Sequence, residues 1–187
     1  MRTSKVEGIV LTRTNLGEAD KLITLFTKQQ GKKKVLAKGI RKLKSRRAPH
    51  LEPFSQVSLV LHTGKNFDLV TEAETIHSFA HIRKKLERVG FVYIALELVQ
   101  RLTAEHQESY IVYRRLLEFL SQLNDSHVSR QSASNILVQF KRDLLSELGF
   151  AAHPETLTHE ELDRLIEDTI ERKLTSHELL TKIQHSL

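Results

Sequence analysis

The sequence predicts an α+β protein of two domains, a small five-stranded β-barrel over residues 1–77 followed by an α-helical domain over residues 78–187. Three observations carry that reading. Apolar residues alternate with polar ones up to about residue 75 and recur at helical spacing from about Ser78 onward. Glycines fall between the early runs, where tight turns are required. Charge divides along the same line: residues 1–50 hold 14 Lys/Arg against 3 Asp/Glu, whereas residues 51–187 hold 15 against 20.

The elements follow in order. Val6 to Thr14, Leu22 to Thr27 and Lys34 to Ala37 are short β-prone runs punctuated by Gly17 and Gly31. Val57, Leu59 and Leu61 alternate with Ser58, Val60 and His62, and Phe67, Leu69 and Thr71 alternate with Asp68, Val70 and Glu72. His62 to Asn66, containing Gly64, joins these last two runs as a tight hairpin. Beyond Ser78, Phe91, Ile94, Ala95, Leu98, Val99 and Leu102 form one helical stripe, and Tyr113, Leu116, Leu117 and Leu120 a second. Ile136, Leu137, Phe140, Leu144, Leu145 and Leu148 form a third, which Gly149 is placed to cap. Polar Asn124 to Ser134 reads as a loop, and Thr158 with Glu161 and Thr175 with Glu178 have capping-box spacing.

Between Lys28 and Arg47 stand ten basic residues and no acid: Lys28, Lys32, Lys33, Lys34, Lys38, Arg41, Lys42, Lys44, Arg46 and Arg47. Solvated surfaces usually mix both signs, so a one-signed cluster in an otherwise acidic chain directs a field at a polyanion. Nucleic acid is the first such partner and an anionic membrane surface the second. Only Phe26, Phe54 and Phe67 lie near the run, and there is no tryptophan, so phosphate contacts rather than base stacking should dominate affinity.

Other chemistry finds little material. Without cysteine there is no disulfide, iron–sulfur cluster or thiolate zinc site. His77 and His81 have helical metal-pair spacing but no third ligand, and the run from His159 to Asp163 departs from a zinc-protease motif at its fifth position. Glu18 and Asp20 are paired acids of the kind that bind magnesium in nucleases, with turn formation as the plainer role. Phe91 to Val99, the most apolar stretch, is too short to span a bilayer, and the polar first residues do not read as a secretory leader.

Specific residues then add a resemblance. The ordered set Gly8, Gly17-Glu18-Ala19-Asp20, Thr24, Phe26-Thr27, Gly31, Ala37-Lys38-Gly39, Arg41-Lys42, Arg46 and Leu51-Glu52-Pro53-Phe54 resembles the N-terminal region of RecO, the bacterial recombination and repair mediator. Tyr93 to Leu98, Phe140 through Phe150, and Lys173 to Leu180 are similar to its helical part more loosely. The resemblance implies an N-terminal OB-fold that binds single- and double-stranded DNA and anneals complementary strands. It further implies loading of the RecA recombinase, with RecR, onto DNA covered by single-strand-binding protein. The expected location is the cytoplasm, from the lack of cysteine, of a leader-like start and of a membrane-length apolar stretch, in association with the nucleoid.

The chain also departs from that pattern. RecO proteins often carry a four-cysteine zinc site after the helix that ends here at Gly149-Phe150, whereas here Ala151-Ala152-His153-Pro154 leads almost directly into Thr158. The zinc module is therefore expected to be missing, and no cofactor is expected. For the tail of single-strand-binding protein, Lys141 and Arg142 are the candidate contacts, with a solvated helix face as the alternative. The expected function is a non-enzymatic DNA-binding and annealing mediator of recombinational repair. Its alternatives are an RNA-binding barrel protein of translation or transcription, and a metal-dependent nuclease using Glu18 and Asp20.

Overall fold

The computed structural model describes residues 2–170. The chain divides into two compact units: one runs from the N-terminus to Ser78 and includes Ala104–Tyr113, and the other comprises Phe79–Thr103 and the described residues from Arg114 on. In the first unit, β1 (Thr3–Leu16), β2 (Asp20–Thr27), β3 (Gly31–Ala37), β4 (Gln56–His62) and β5 (Asp68–His77) close into a barrel of order β1-β2-β3-β5-β4. This is the OB-fold architecture, a five-stranded barrel with a long connection between its third and fourth strands.

Its interior is filled by Val6, Val10, Ile23, Leu25, Val35, Ala37, Leu59, Leu61 and Val70, together with Ile40 and Leu51 from the β3–β4 connection. In β4 the alternation read from the sequence is kept, with Val57, Leu59 and Leu61 buried. In β5 the inward residues are Val70 and then Ala73, three positions apart. The pairing with β4 shifts there, Val60 facing Glu72 and Leu61 facing Val70, so Thr71 is an extra residue whose hydroxyl donates to the Val60 carbonyl (3.0 Å). A bulge of this kind inverts the phase of alternation, which a strict period of two does not foresee.

Barrel closure is narrow at β3. That strand pairs along its whole length with β2 but meets β5, in parallel, only at Val35 with Asp68 and Leu36 with Leu69. An open strand edge invites further pairing. Here the segment after Ala104 covers it: Lys32 forms a parallel bridge with Glu105, and the His106 amide donates to the Lys32 carbonyl (2.9 Å). Gly31 opens the strand at φ +63°, and a Cβ there would stand 1.9 Å from the Gln107 carbonyl oxygen. Only glycine permits both the turn and so close a strap.

The strap ends at Tyr113, buried to 2% exposure. Its hydroxyl donates to Glu7 Oε1 (2.8 Å), which also accepts from Gln56 Nε2 (2.9 Å), so the three side chains tie the strap to β1 and β4. Burial, reinforced by the Glu7 carboxylate, pushes the Tyr113 phenol well above its usual range.

In the second unit, α1 (Ala80–Arg83) precedes α2 (Leu86–Leu102), which packs against α4 (Arg130–Glu147) and α5 (His159–Ile170); α3 (Tyr110–Leu123) starts in the strap and continues into this unit. The polar stretch read as a loop from Asn124 to Ser134 is shorter than expected. Ser129 caps α4 by accepting from the Ser132 amide (3.1 Å), so residues 130–134 are helical and Ala133 is buried. Gly149 lies at φ +75° past the C-terminus of α4, with the Phe150 amide bonded back to Leu145. Thr158 and Glu161 form the expected capping box: the Glu161 carboxylate accepts from the Thr158 amide (2.8 Å) and the Thr158 hydroxyl from the Glu161 amide (3.3 Å). The Thr175–Glu178 box and the Lys173–Leu180 segment lie outside the described residues.

Arg88, on α2, is only 3% exposed, a burial that no sequence pattern signals. Its guanidinium donates to the carbonyls of Leu123 (2.9 Å), Asp125 (2.6 Å) and Val128 (2.6 Å), closing the end of α3 and the turn after it. A buried arginine there satisfies orphan carbonyls and complements the negative end of the helix. Among the described residues no helix is long and apolar enough to cross a membrane.

Two outcomes follow from these buried polar groups. Arg88→Ala leaves several carbonyls without donors and should lower unfolding free energy by about 3 kcal/mol in denaturant titration. For Tyr113, a raised folded-state pKa means its stabilisation is fully present below the unfolded value of about 10 and is lost as pH rises through the folded one. The stability advantage of the native protein over Tyr113→Phe should therefore shrink above about pH 10.

Candidate nucleic-acid interface

In space the ten basic residues separate into two groups. Those on the β2–β3 hairpin and β3 have acids beside them that the linear sequence does not show. Lys28 lies 3.9 Å from Glu7, Lys33 2.7 Å from Asp68 and Lys34 2.5 Å from Glu105. Lys32 is buried at 9% exposure, and burial, against the pull of Glu105, pushes its ammonium below the ordinary lysine value. Hydrogen bonding to Lys34 in turn lowers the Glu105 carboxyl. The absence of compensating acid holds along the chain from Lys28 to Arg47 but not in the folded barrel. Glu7, Asp68 and Glu105 come from β1, β5 and the strap, far away in sequence.

The second group is the β3–β4 connection. Lys38, Arg41, Lys42, Lys44 and Arg46 are exposed, and none of the five has a carboxylate partner among the described residues. Their loop is nevertheless held. Gly39, at φ +65°, donates its amide to Asp20 Oδ1 (2.7 Å), and the Arg41 amide donates to the Ala19 carbonyl (3.0 Å). Ile40 between them inserts into the barrel core at 4% exposure. At the far end, Arg47 is turned inward: its guanidinium donates to the carbonyls of Val70 and of Lys38, the latter at 2.7 Å, closing the loop across nine positions. A Pro-led 3-10 turn, Ala48–Leu51, follows, and His50 Nδ1 sits 2.9 Å from the Thr75 hydroxyl.

Together the β1–β2 turn, this loop and Thr71 line an open groove of about 700 Å³, with Lys38, Lys42, Lys44 and Arg46 on its walls and one acid, Asp20, whose Oδ1 accepts from the Gly39 amide. Ser45 also lines it, with a buried hydroxyl that has no hydrogen-bond partner. The groove therefore presents several cations on a fixed backbone, an arrangement suited to successive phosphates.

The remaining sequence candidates are placed differently. Lys141 is 5% exposed and its ammonium pairs with Asp163 Oδ1 at 2.6 Å, joining α4 to α5, while Arg142 donates to the Leu157 carbonyl (3.0 Å). Of the two readings, the solvated helix face fails for Lys141, and so does an ammonium open to an acidic tail. A buried amine must have a partner, and Asp163 is it. His77 ends β5 and His81 lies in α1, so the pair shares no helix face, and among the described residues no group of three or more His, Cys, Asp or Glu could hold a metal.

A closed OB barrel bearing a basic β3–β4 loop, followed in the chain by a helical unit, defines a class of OB-fold protein with an exposed basic face. Comparison with known proteins makes this specific. Residues 1–79 match the family described as Recombination protein O N terminal, and residues 83–154 match Recombination protein O C terminal. The chain belongs to the RecO family. It is 41% identical over 149 residues to DNA repair protein RecO of Roseiflexus sp. (strain RS-1), covering 80% of this chain and 51% of that one. It is 33% identical over 159 residues to DNA repair protein RecO of Pelotomaculum thermopropionicum, covering 85% and 60% respectively. The chain thus spans between half and three-fifths of these relatives' length.

The division of the lysines is testable by stability alone. Lys33→Ala strips Asp68 and Gln30 of their donor at the narrow β3–β5 seam and should cost about 1 kcal/mol in thermal or denaturant unfolding. Lys44→Ala, on an exposed loop, should leave the melting temperature within error.

Proposed function

We propose that the protein binds DNA through the β3–β4 loop and promotes pairing of complementary strands in recombinational repair, without covalent chemistry. The observation that carries the reading is the cluster of exposed cations from Lys38 to Arg46, held on a loop whose backbone is fixed by Asp20, Ile40 and Arg47. Two strands repel through their phosphates, and a basic face that neutralises both lowers the barrier to pairing. Family membership supports the repair role, since the relatives are named DNA repair proteins. Action with RecR and RecA, and recruitment through the tail of single-strand-binding protein, belong to the same proposal. The Lys141 ammonium is not assigned to that tail, being held by Asp163.

With about five phosphates neutralised, affinity should fall several hundredfold between 50 and 200 mM salt. The joint reversal Lys38→Glu, Arg41→Glu and Lys42→Glu should abolish annealing of complementary oligonucleotides while circular dichroism and melting stay near native. Annealing that survives the reversal, or affinity that barely responds to salt, would overturn the assignment, and matched RNA strands in the same titration measure preference between the two nucleic acids.

A further inference from the structure

Leu43 is the most exposed large apolar residue of the described chain, fully open to solvent. It sits in the middle of the basic loop, between Lys42 and Lys44, both of which line the groove, whereas Leu43 itself does not. A lone exposed leucine on a mixed surface needs no explanation. This one is different in its surroundings: Lys38, Arg41, Lys42, Lys44 and Arg46 are exposed with it, and Ile40, the other apolar side chain of the stretch, is buried in the core. The backbone on either side is tied down by Gly39 to Asp20 and by Arg47 to Lys38, so the leucine is presented rather than free to fold back.

We propose that Leu43 is an apolar wedge that enters between adjacent bases when the flanking cations seat the phosphates. The inference rests on the DNA-binding reading and adds a base contact to it. Phosphate contacts alone bring the loop against the backbone and carry no grip on the bases. An aliphatic side chain carried between basic residues is the chemistry by which proteins partly unstack a base step. The barrel has no exposed aromatic on this loop to stack on bases instead; Phe26 and Phe54 are buried. One leucine offers too little apolar area to hold a lipid surface, where even a whole acyl chain binds only marginally. Between two bases a single side chain suffices.

The test uses the full chain and oligonucleotides carrying 2-aminopurine, whose fluorescence rises on unstacking, with Leu43→Ala, Leu43→Phe and Leu43→Asp beside the native protein. Native protein should raise the fluorescence at saturation. Leu43→Ala should lose most of that rise and bind roughly tenfold more weakly while keeping the native dependence on salt. Leu43→Phe should restore the rise, and Leu43→Asp should show none. An unchanged fluorescence rise in Leu43→Ala at saturating protein overturns the wedge and leaves the phosphate reading standing. No binding by native protein at low salt would instead overturn the DNA reading itself. Co-sedimentation with vesicles of anionic phospholipid that depends on Leu43, with no fluorescence rise on DNA, would assign the side chain to a membrane surface and also sink the wedge.

Discussion

Closure of the barrel at β3 is the constraint from which the other features follow. The strand has a full partner in β2 but only two residues of contact with β5, so most of its second edge must be satisfied by other means. Lys33 is drawn to Asp68 at the seam itself, and the strap from Ala104 covers the remainder through Lys32, Glu105 and His106. The strap in turn needs an anchor, which the bonds of Tyr113 to Glu7 and Gln56 provide. Because residues 104–113 are committed to that edge, the barrel is completed by chain that lies beyond two helices in sequence.

The same closure sorts the cations. Where β3 is paired or covered, its lysines are close to backbone and carboxylates and serve the barrel, and a partly neutralised lysine contributes little to an outside field. Where β3 ends, at Ala37, the chain leaves the sheet, and from Lys38 to Arg46 no side-chain cation is paired with a carboxylate among the described residues. The net field therefore originates from the loop rather than evenly from the whole basic run. Mutual repulsion of its charges opposes a compact loop, and what offsets this is not pairing of the exposed cations with acids but anchoring of the backbone: one amide on a carboxylate, one isoleucine in the core and one inward-turned arginine.

The local grammar of the fold was legible in sequence because it depends on near neighbours. Alternation in β4, the Thr158–Glu161 box and the Gly149 cap each involve residues within four positions and appear in the structure as read. What sequence concealed depends on distant chain. The bulge at Thr71 shows only through its partners on β4, and Ser129 as a cap was masked by the polar residues after it. Asp68 and Glu105 are invisible as partners of Lys33 and Lys34 until the barrel closes. Arg88 and Lys141 look like ordinary helix-surface cations, yet both are interior, one holding carbonyls and the other a carboxylate. For the candidate site, the loop was readable as charge, whereas the distinction between structural and available lysines was not.

That distinction bears on how a basic loop acts on a polyanion. A flexible polycation would bind phosphates with the same charge but would lose conformational entropy on every contact, and the loss would offset much of the attraction. Here the ordering has already occurred during folding, through barrel groups such as Asp20 and Ile40 that hold the loop backbone. The cations are thus displayed in advance, and their repulsion is relieved rather than created when an anion arrives. Stability of the barrel and affinity for a polyanion are coupled through those few anchors, so a change at Ile40, which carries no charge, should weaken binding without removing a single positive charge.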